Sequence, residues 1–226
     1  IIWPIIYSAQ FIWHLWFIYS NTCKKDKPIE NENVTEGYNI YLMYSSFKGT
    51  LFFILFILSN ILQFGWWLCV SLKNTLGASI VIFFYALTII GTCVIAHKYY
   101  YDVSKLSIDD RLINVKGYSI FFLNGIQIYA TWLVIANGIS WSGELVRKTD
   151  ISPETSAIIF GSLLGLILIV YLVLDMYFWR EHLQYTFITY IVAVMAFIAI
   201  LTDGGFNFDY VSQKLCVIFM IITVAT

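Results

Sequence analysis

Three apolar stretches of the chain each carry two polar side chains at helical spacing. The pairs, three or four residues apart, are Gln10 with His14, Asn60 with Gln63, and Asn124 with Gln127. Residues at this spacing lie on one face of an α-helix. Because a carboxamide or imidazole in an apolar environment is costly unless it is hydrogen-bonded, each pair requires a partner. The chemistry that these groups can perform is hydrogen bonding, either to a neighbouring helix or to the polar edge of a ligand.

Indole rings accompany two of these pairs. Trp67 follows Gln63 by one helical turn, and Trp132 lies beside the face that carries the second asparagine–glutamine pair. A flat ring with an N–H group suits a planar ligand. We therefore expect one shared hollow, lined by Gln10, His14, Asn60, Gln63, Trp67, Asn124, Gln127, Trp132 and Asn137. The alternative is that the amides join neighbouring helices, at about 0.6 kcal/mol per contact, and that the indoles pack between helices or lie at bilayer interfaces.

Catalytic and metal-binding motifs do not occur in the sequence. There is no GxSxG, HExxH, CxxC or phosphate-binding glycine loop, so we expect no enzyme activity and no metal site, and no cofactor is indicated. Four cysteines lie far apart, at Cys23, Cys69, Cys93 and Cys216, and are interpreted as small apolar side chains. Asp175, with Arg180 or His182 as its partner, is the closest candidate for an ionisable group inside an apolar stretch. A proton or cation pump needs a more central relay than this.

The composition of the chain indicates which kind of protein carries these residues. The chain has 226 residues, of which 60% are hydrophobic and 12% charged, whereas soluble domains have about 45–50% apolar and about 25% charged residues. Too little polar material remains to cover a water-facing surface, which excludes a soluble globular domain and a disordered chain. The net charge of −1 gives no field that would attract nucleic acid. The composition predicts an integral membrane protein.

Long apolar runs without period-two alternation predict helices rather than a β-barrel. Since a helix needs about 20 residues to cross a bilayer, we expect an all-α transmembrane bundle of about seven helices in one domain covering residues 1–226. The predicted segments are 1–20, 49–71, 76–97, 118–140, 156–178, 184–202 and 214–226. The first and last lie at the two ends of the chain and look truncated, so we expect the chain to be a piece of a longer polypeptide. The other five are complete.

The distribution of basic residues predicts an orientation. Nine of the 13 lysines and arginines flank one side of the predicted segments and four flank the other. Because basic loops remain in the cytosol, the loops 21–48, 98–117 and 179–183 are predicted to be cytosolic. The sequon at Asn33 would then not be glycosylated. The organelle is not indicated by the sequence.

Short motifs resemble the tryptophan-rich sensory protein family, also called the translocator protein or peripheral benzodiazepine receptor family. Trp3 and Tyr7 are similar to a W-x-x-x-Y element near its start. Asn60 and Trp67, with Gln63 between them, resemble a middle-helix N-x-x-W stretch in which glutamine replaces the first tryptophan.

Two further segments extend the resemblance. The run from Tyr129 to Ala136 resembles the Y-x-x-W pattern of the family's last helix, although Ile128 stands where the family has proline and Ser140 where it has asparagine. Residues 127–202 resemble more closely a group of uncharacterised animal multi-pass proteins distantly related to that family, with ATW at 130–132, VLD at 173–175 and QYT at 184–186.

The resemblance implies a helical bundle with an intramembrane pocket for a flat hydrophobic ligand, porphyrin-like or sterol-like, and no established catalysis. The family has five helices, fewer than the seven predicted here. A structural or accessory subunit of a larger membrane complex is the alternative, with another membrane protein as partner besides the lipid bilayer. A seven-helix receptor ranks third, because His97-Lys98-Tyr99 stands where a DRY-like triplet would follow the third helix.

Overall fold

The computed structural model describes residues 4, 6–12, 14–15, 47–106, 118–183 and 186–202. Helix α1 comprises the described residues between 4 and 15. The other helices are α2 (Phe47–Ser71), α3 (Thr75–Leu106), α4 (Asn124–Lys148), α5 (Pro153–Val173) and α6 (Ile188–Thr202). A π-helical turn at Tyr118–Leu123 leads into α4, and a second at Leu174–Phe178 follows α5. All regular structure in the described residues is helical, which confirms the predicted helical class for them.

Four helical stretches of the described chain are long and apolar enough to cross a membrane. They are Gly49–Ser71, Thr75–Asp102, Ile120–Lys148 and Pro153–Phe178. The apolar stretch of α6, Ile188–Ile198, is shorter. Segment 214–226, residues 21–46, and the tryptophans and cysteines Trp3, Trp13, Trp16, Cys23 and Cys216 lie outside the described residues. The cytosolic loops and the single domain stay predictions.

Two helices extend well beyond their predicted ends. Helix α3 has 32 residues and is about 48 Å long at 1.5 Å per residue, so its last turns continue into the predicted loop 98–117. Helix α4 continues to Lys148, eight residues past the predicted end at Ser140. Hydropathy locates the apolar part of a helix, whereas the backbone hydrogen bonds of a helix can continue through charged and polar residues.

Short connections at residues 72–74 and 149–152 make α2 and α3, and likewise α4 and α5, antiparallel neighbours. In the turn after α2, Lys73 has a φ of 56°, and the Asn74 side-chain oxygen accepts from the Gly77 amide at 2.9 Å. Helix α5 begins after Ser152, whose hydroxyl accepts from the Thr155 amide at 3.2 Å, with Pro153 as the first helical residue. These caps satisfy amides that have no partner inside the helix.

Helix α4 lies at the centre of the bundle, in contact with α3, α5 and α6. The main core contains Tyr85 and Ile89 of α3 and Leu133 of α4, with Phe52 of α2 and Ile6 of α1 packed into it. Burial follows this arrangement: 61% of the membrane-length stretch of α4 is buried inside the molecule, but only 6% of that of α2. The structure therefore has an inner pair, α3 and α4, and outer helices, α2 and α5.

Helices α4 and α5 approach closely at a glycine. A Cβ atom placed on Gly138 would lie 2.8 Å from Leu164 Cδ1 on α5, which is too short for a van der Waals contact. A Cβ atom placed on Gly161, on α5, would meet nothing within 4 Å. The absence of a side chain at Gly138 thus allows the two helices to pack together.

Candidate functional site

A buried glutamine on α4 joins three other helices. Gln127 Oε1 accepts from the Cys93 thiol of α3 at 2.7 Å. Its Nε2 donates to Thr189 Oγ1 of α6 at 2.8 Å and to Tyr171 Oη of α5 at 3.2 Å. We define the Gln127 cluster as Cys93, His97, Gln127, Thr131, Tyr171 and Thr189. A carboxamide has one acceptor and two donor hydrogens, and all three functions of Gln127 are used here.

Threonine hydroxyls complete the contact between α4 and α6. Thr131 Oγ1 donates to the Gln127 backbone oxygen at 2.8 Å and lies 3.1 Å from Thr189 Oγ1. Gln127 and Thr131 are four residues apart, so they share the face of α4 that packs on α6. Two adjacent hydrogen bonds fix the register between these helices.

The histidine of the cluster is buried and has one nitrogen without a partner. His97 is 5% exposed, and its Nδ1 lies 2.9 Å from the Cys93 backbone oxygen and 3.5 Å from the Cys93 sulfur. His97 Nε2 has no hydrogen-bond partner within the described residues. Buried polar atoms in native proteins nearly always have a partner, so this nitrogen is the one open position that we identify in the cluster.

Asn124 positions the start of α6. Its Oδ1 accepts from the backbone amides of Phe187 and Ile188, at 3.1 and 3.2 Å. Ile188 is the first residue of α6, so Asn124 caps that helix from α4. Asn124 and Gln127, which the sequence pattern placed on one face, therefore both hold α6 in place.

A second polar pair lies near the end of the same bundle. Tyr190 donates its hydroxyl to the Asp175 carboxylate, and the ring of Tyr190 packs edge-on against Tyr171, with centroids 6.0 Å apart. The sequence offered Arg180 or His182 as the partner of Asp175, but the hydrogen-bond donor in the structure is Tyr190. His182 stacks on Tyr101, with ring centroids 3.8 Å apart.

Hydrogen bonds continue along the α3–α4 interface toward its other end. Asn137 Nδ2 donates to the Ile82 backbone oxygen of α3 and to that of Leu133, both at 3.0 Å. Ser79 and Ser140 hydroxyls are 2.7 Å apart. Asn137, a predicted ligand-binding residue, thus contacts the backbone of α3.

The candidate residues of α2 lie on a different side of the molecule. Asn60 is exposed and donates to the backbone oxygen of Phe56 in its own helix at 2.7 Å. Gln63 is half-buried and donates to Tyr7 Oη of α1 at 2.6 Å. Trp67 is 54% exposed. The expectation that Asn60 and Trp67 point into a common interior is therefore corrected, because both side chains are exposed and the Asn60 amide donates to the preceding turn of its own helix.

The remaining candidates lie on α1 and α4. Gln10 is half-buried, and His14 is exposed with its Nδ1 2.7 Å from the Gln10 backbone oxygen. Trp132 is half-buried on α4. The nine predicted residues thus divide into a group on α4 and a group on α1 and α2.

An open groove lies between α2 and α3. It has a volume of about 410 Å³ and is lined by Leu55, Leu58, Leu62, Phe84, Leu87 and Thr88. None of the nine predicted residues is among these lining residues. The groove is almost wholly apolar, so it offers little to orient a ligand.

Five residues of the Gln127 cluster were not proposed as site residues from the sequence: Cys93, His97, Thr131, Tyr171 and Thr189. Cys93 was interpreted as a small apolar side chain; it is buried, but its thiol also donates a hydrogen bond. One signal was available, because Cys93 and His97 are four residues apart in an apolar run, as are Tyr171 and Asp175.

Within the described residues, no group of three or more histidine, cysteine, aspartate or glutamate side chains could hold a metal ion. Comparisons with protein-family models, with curated proteins and with solved structures give no match. The resemblance to the translocator family stays a prediction from short motifs.

Proposed function

We propose that this chain is a multi-pass membrane protein that binds a flat hydrophobic ligand, porphyrin-like or sterol-like, and that the Gln127 cluster holds the ligand's polar group. The observation that carries the proposal is the cluster itself: four helices contribute hydrogen-bonding side chains at one depth, and one buried nitrogen, His97 Nε2, is open. Intramembrane polar residues of this kind commonly mark functional sites.

The depth of the cluster suits an amphipathic ligand. Gln127 lies seven residues inside the span that starts at Ile120, which is about 10 Å along the helix axis. A ligand whose polar group reaches this depth would place its apolar body in the hydrocarbon region, where burial contributes about 25 cal/mol per Å². The few polar contacts would then fix its orientation.

Ligand titration of the purified full chain in lipid nanodiscs tests the proposal, with protoporphyrin and cholestanol as separate probes. We expect saturable binding of one of them and an affinity about tenfold weaker in Gln127→Leu and in Thr189→Val. Thr92→Val is the matched control, since Thr92 is a buried threonine of α3 that bonds only to the Thr88 backbone oxygen among the bonds described. Absence of saturable binding to the folded protein, or equal losses in Thr189→Val and Thr92→Val, would contradict the proposal.

One observation favours a second candidate, an accessory subunit of a membrane complex. Asn60 lies midway along the Gly49–Ser71 span and is exposed. An exposed carboxamide at this depth favours contact with a helix of another protein. A photo-crosslinking amino acid at Phe64, one turn from Asn60, should then capture a stoichiometric partner, whereas one at Leu166 on α5 should not. A protein that stays monomeric and uncrosslinked at both positions would contradict this candidate.

A further inference from the structure

The backbone oxygen of Cys93 determines which ring nitrogen of His97 carries the hydrogen. Nδ1 lies 2.9 Å from the backbone oxygen of Cys93. A carbonyl oxygen only accepts hydrogen bonds, so Nδ1 carries the hydrogen. In the neutral ring Nε2 then has a lone pair and no hydrogen, and it can only accept. A charged ring without a counter-ion would be costly among apolar helices.

A comparison with His14 shows that the backbone hydrogen bond of His97 is ordinary and that its burial is what distinguishes it. His14 Nδ1 lies 2.7 Å from the Gln10 backbone oxygen, four residues earlier, just as His97 bonds to Cys93. The bond is thus a local feature of either helix. His14 is exposed and lies outside the Gln127 cluster, whereas His97 is buried within it.

The neighbours of His97 along α3 contact other parts of the bundle. Cys93, His97 and Tyr101 are spaced by four residues and form one stripe on α3. Tyr101 stacks on His182 with an angle of 15° between the rings. His97 is therefore flanked on α3 by Cys93, which bonds to the Gln127 carboxamide, and by Tyr101, which stacks on His182.

The other polar atoms of the cluster are already matched. Gln127 Oε1 accepts from the Cys93 thiol, and its amide hydrogens go to Tyr171 and Thr189. The open position of the cluster is therefore His97 Nε2, which can only accept a hydrogen bond. A ketone or carboxylate would place a second acceptor against it, whereas a hydroxyl group would donate to it.

We infer that the ligand is a neutral alcohol on a flat hydrophobic skeleton, and that its hydroxyl group donates to His97 Nε2. This inference rests on the proposed function and selects between its two ligand classes: a sterol-type alcohol fits the open acceptor, and a porphyrin with carboxylate groups does not.

The test compares two sterols that differ at one group, cholestanol and its ketone, cholestanone. Each competes with tritiated cholestanol for the full chain in nanodiscs. We expect cholestanol to bind about tenfold more tightly than cholestanone. His97→Phe should abolish this preference, His97→Gln, which keeps an acceptor, should retain most of it, and His14→Phe should leave it unchanged.

Equal affinities for cholestanol and cholestanone in the wild-type chain would overturn the inference, as would a preference that persists in His97→Phe or binding of protoporphyrin alone. The wild-type ratio decides even if His97→Phe does not fold. If the two sterols bind equally and Gln127→Leu weakens both, only this inference fails. If neither sterol nor protoporphyrin binds the folded wild-type chain, the proposed function fails with it.

Discussion

Helices α2 and α4 both carry an asparagine followed three residues later by a glutamine, and their surroundings are opposite. On α2, Asn60 is exposed and bonds to its own helix, and Gln63 bonds to Tyr7. On α4, Asn124 caps α6 and Gln127 bonds to three helices. The same pair of side chains is thus peripheral in one helix and central in the other.

The difference originates in the neighbours of each helix. Helix α4 contacts α3, α5 and α6, whereas the partners of α2 are chiefly α3 and the short described part of α1. A polar face on a helix fixes the direction in which its side chains point relative to one another, but the packing of the whole bundle decides whether that direction is inward. The following substitutions compare the two helices.

The largest difference is expected for the two glutamines. Gln127→Leu leaves the Cys93 thiol and the Tyr171 and Thr189 hydroxyls without this partner, and should lower the free energy of unfolding by about 2 kcal/mol. Gln63→Leu removes one contact and should cost about 0.6 kcal/mol. Unfolding of the purified proteins by SDS in mixed micelles measures both. Equal losses would mean that Gln127 is no more central than Gln63.

Substitutions at Gly138 and Gly161 compare a glycine at a helix–helix contact with one that faces open space. Gly138→Ala introduces a methyl group 2.8 Å from Leu164, and we expect a loss of about 1–2 kcal/mol from overpacking. Gly161→Ala meets open space and should stabilise the protein slightly, because alanine is the better helix former by up to about 1 kcal/mol. The same unfolding measurement applies, and a neutral Gly138→Ala would contradict the close α4–α5 packing.

The substitutions Asn124→Ala and Asn60→Ala should differ little in their effect on the free energy of unfolding. They should differ more in their effect on hydrogen exchange of the α6 amides. Asn124→Ala removes the acceptor for the Phe187 and Ile188 amides, and loss of such a cap costs about 1 kcal/mol. Hydrogen exchange at these two amides should become faster. Asn60→Ala should leave exchange in α6 unaltered. Unchanged exchange at Phe187 and Ile188 in Asn124→Ala would show that the cap does not form.

The sequence predicted the positions of the helices better than it predicted the site. Apolar runs of about 20 residues have few alternatives to a helix, so the segments at 49–71 and 156–178 lie close to the helices found. The Gln127 cluster depends on contacts between distant positions, since Thr189 and Tyr171 are 62 and 44 residues from Gln127. Spacing within one helix carries no information about such partners.

The Gln127 side chain of α4 faces inward and joins α4 to α6. A double-mutant cycle with Gln127→Leu and Thr189→Val, based on the free energies of unfolding, measures the strength of this connection. We expect a coupling energy of about 0.6–1.7 kcal/mol between these residues, and none between Gln127→Leu and the control Thr92→Val. Purely additive effects of Gln127→Leu and Thr189→Val would contradict it.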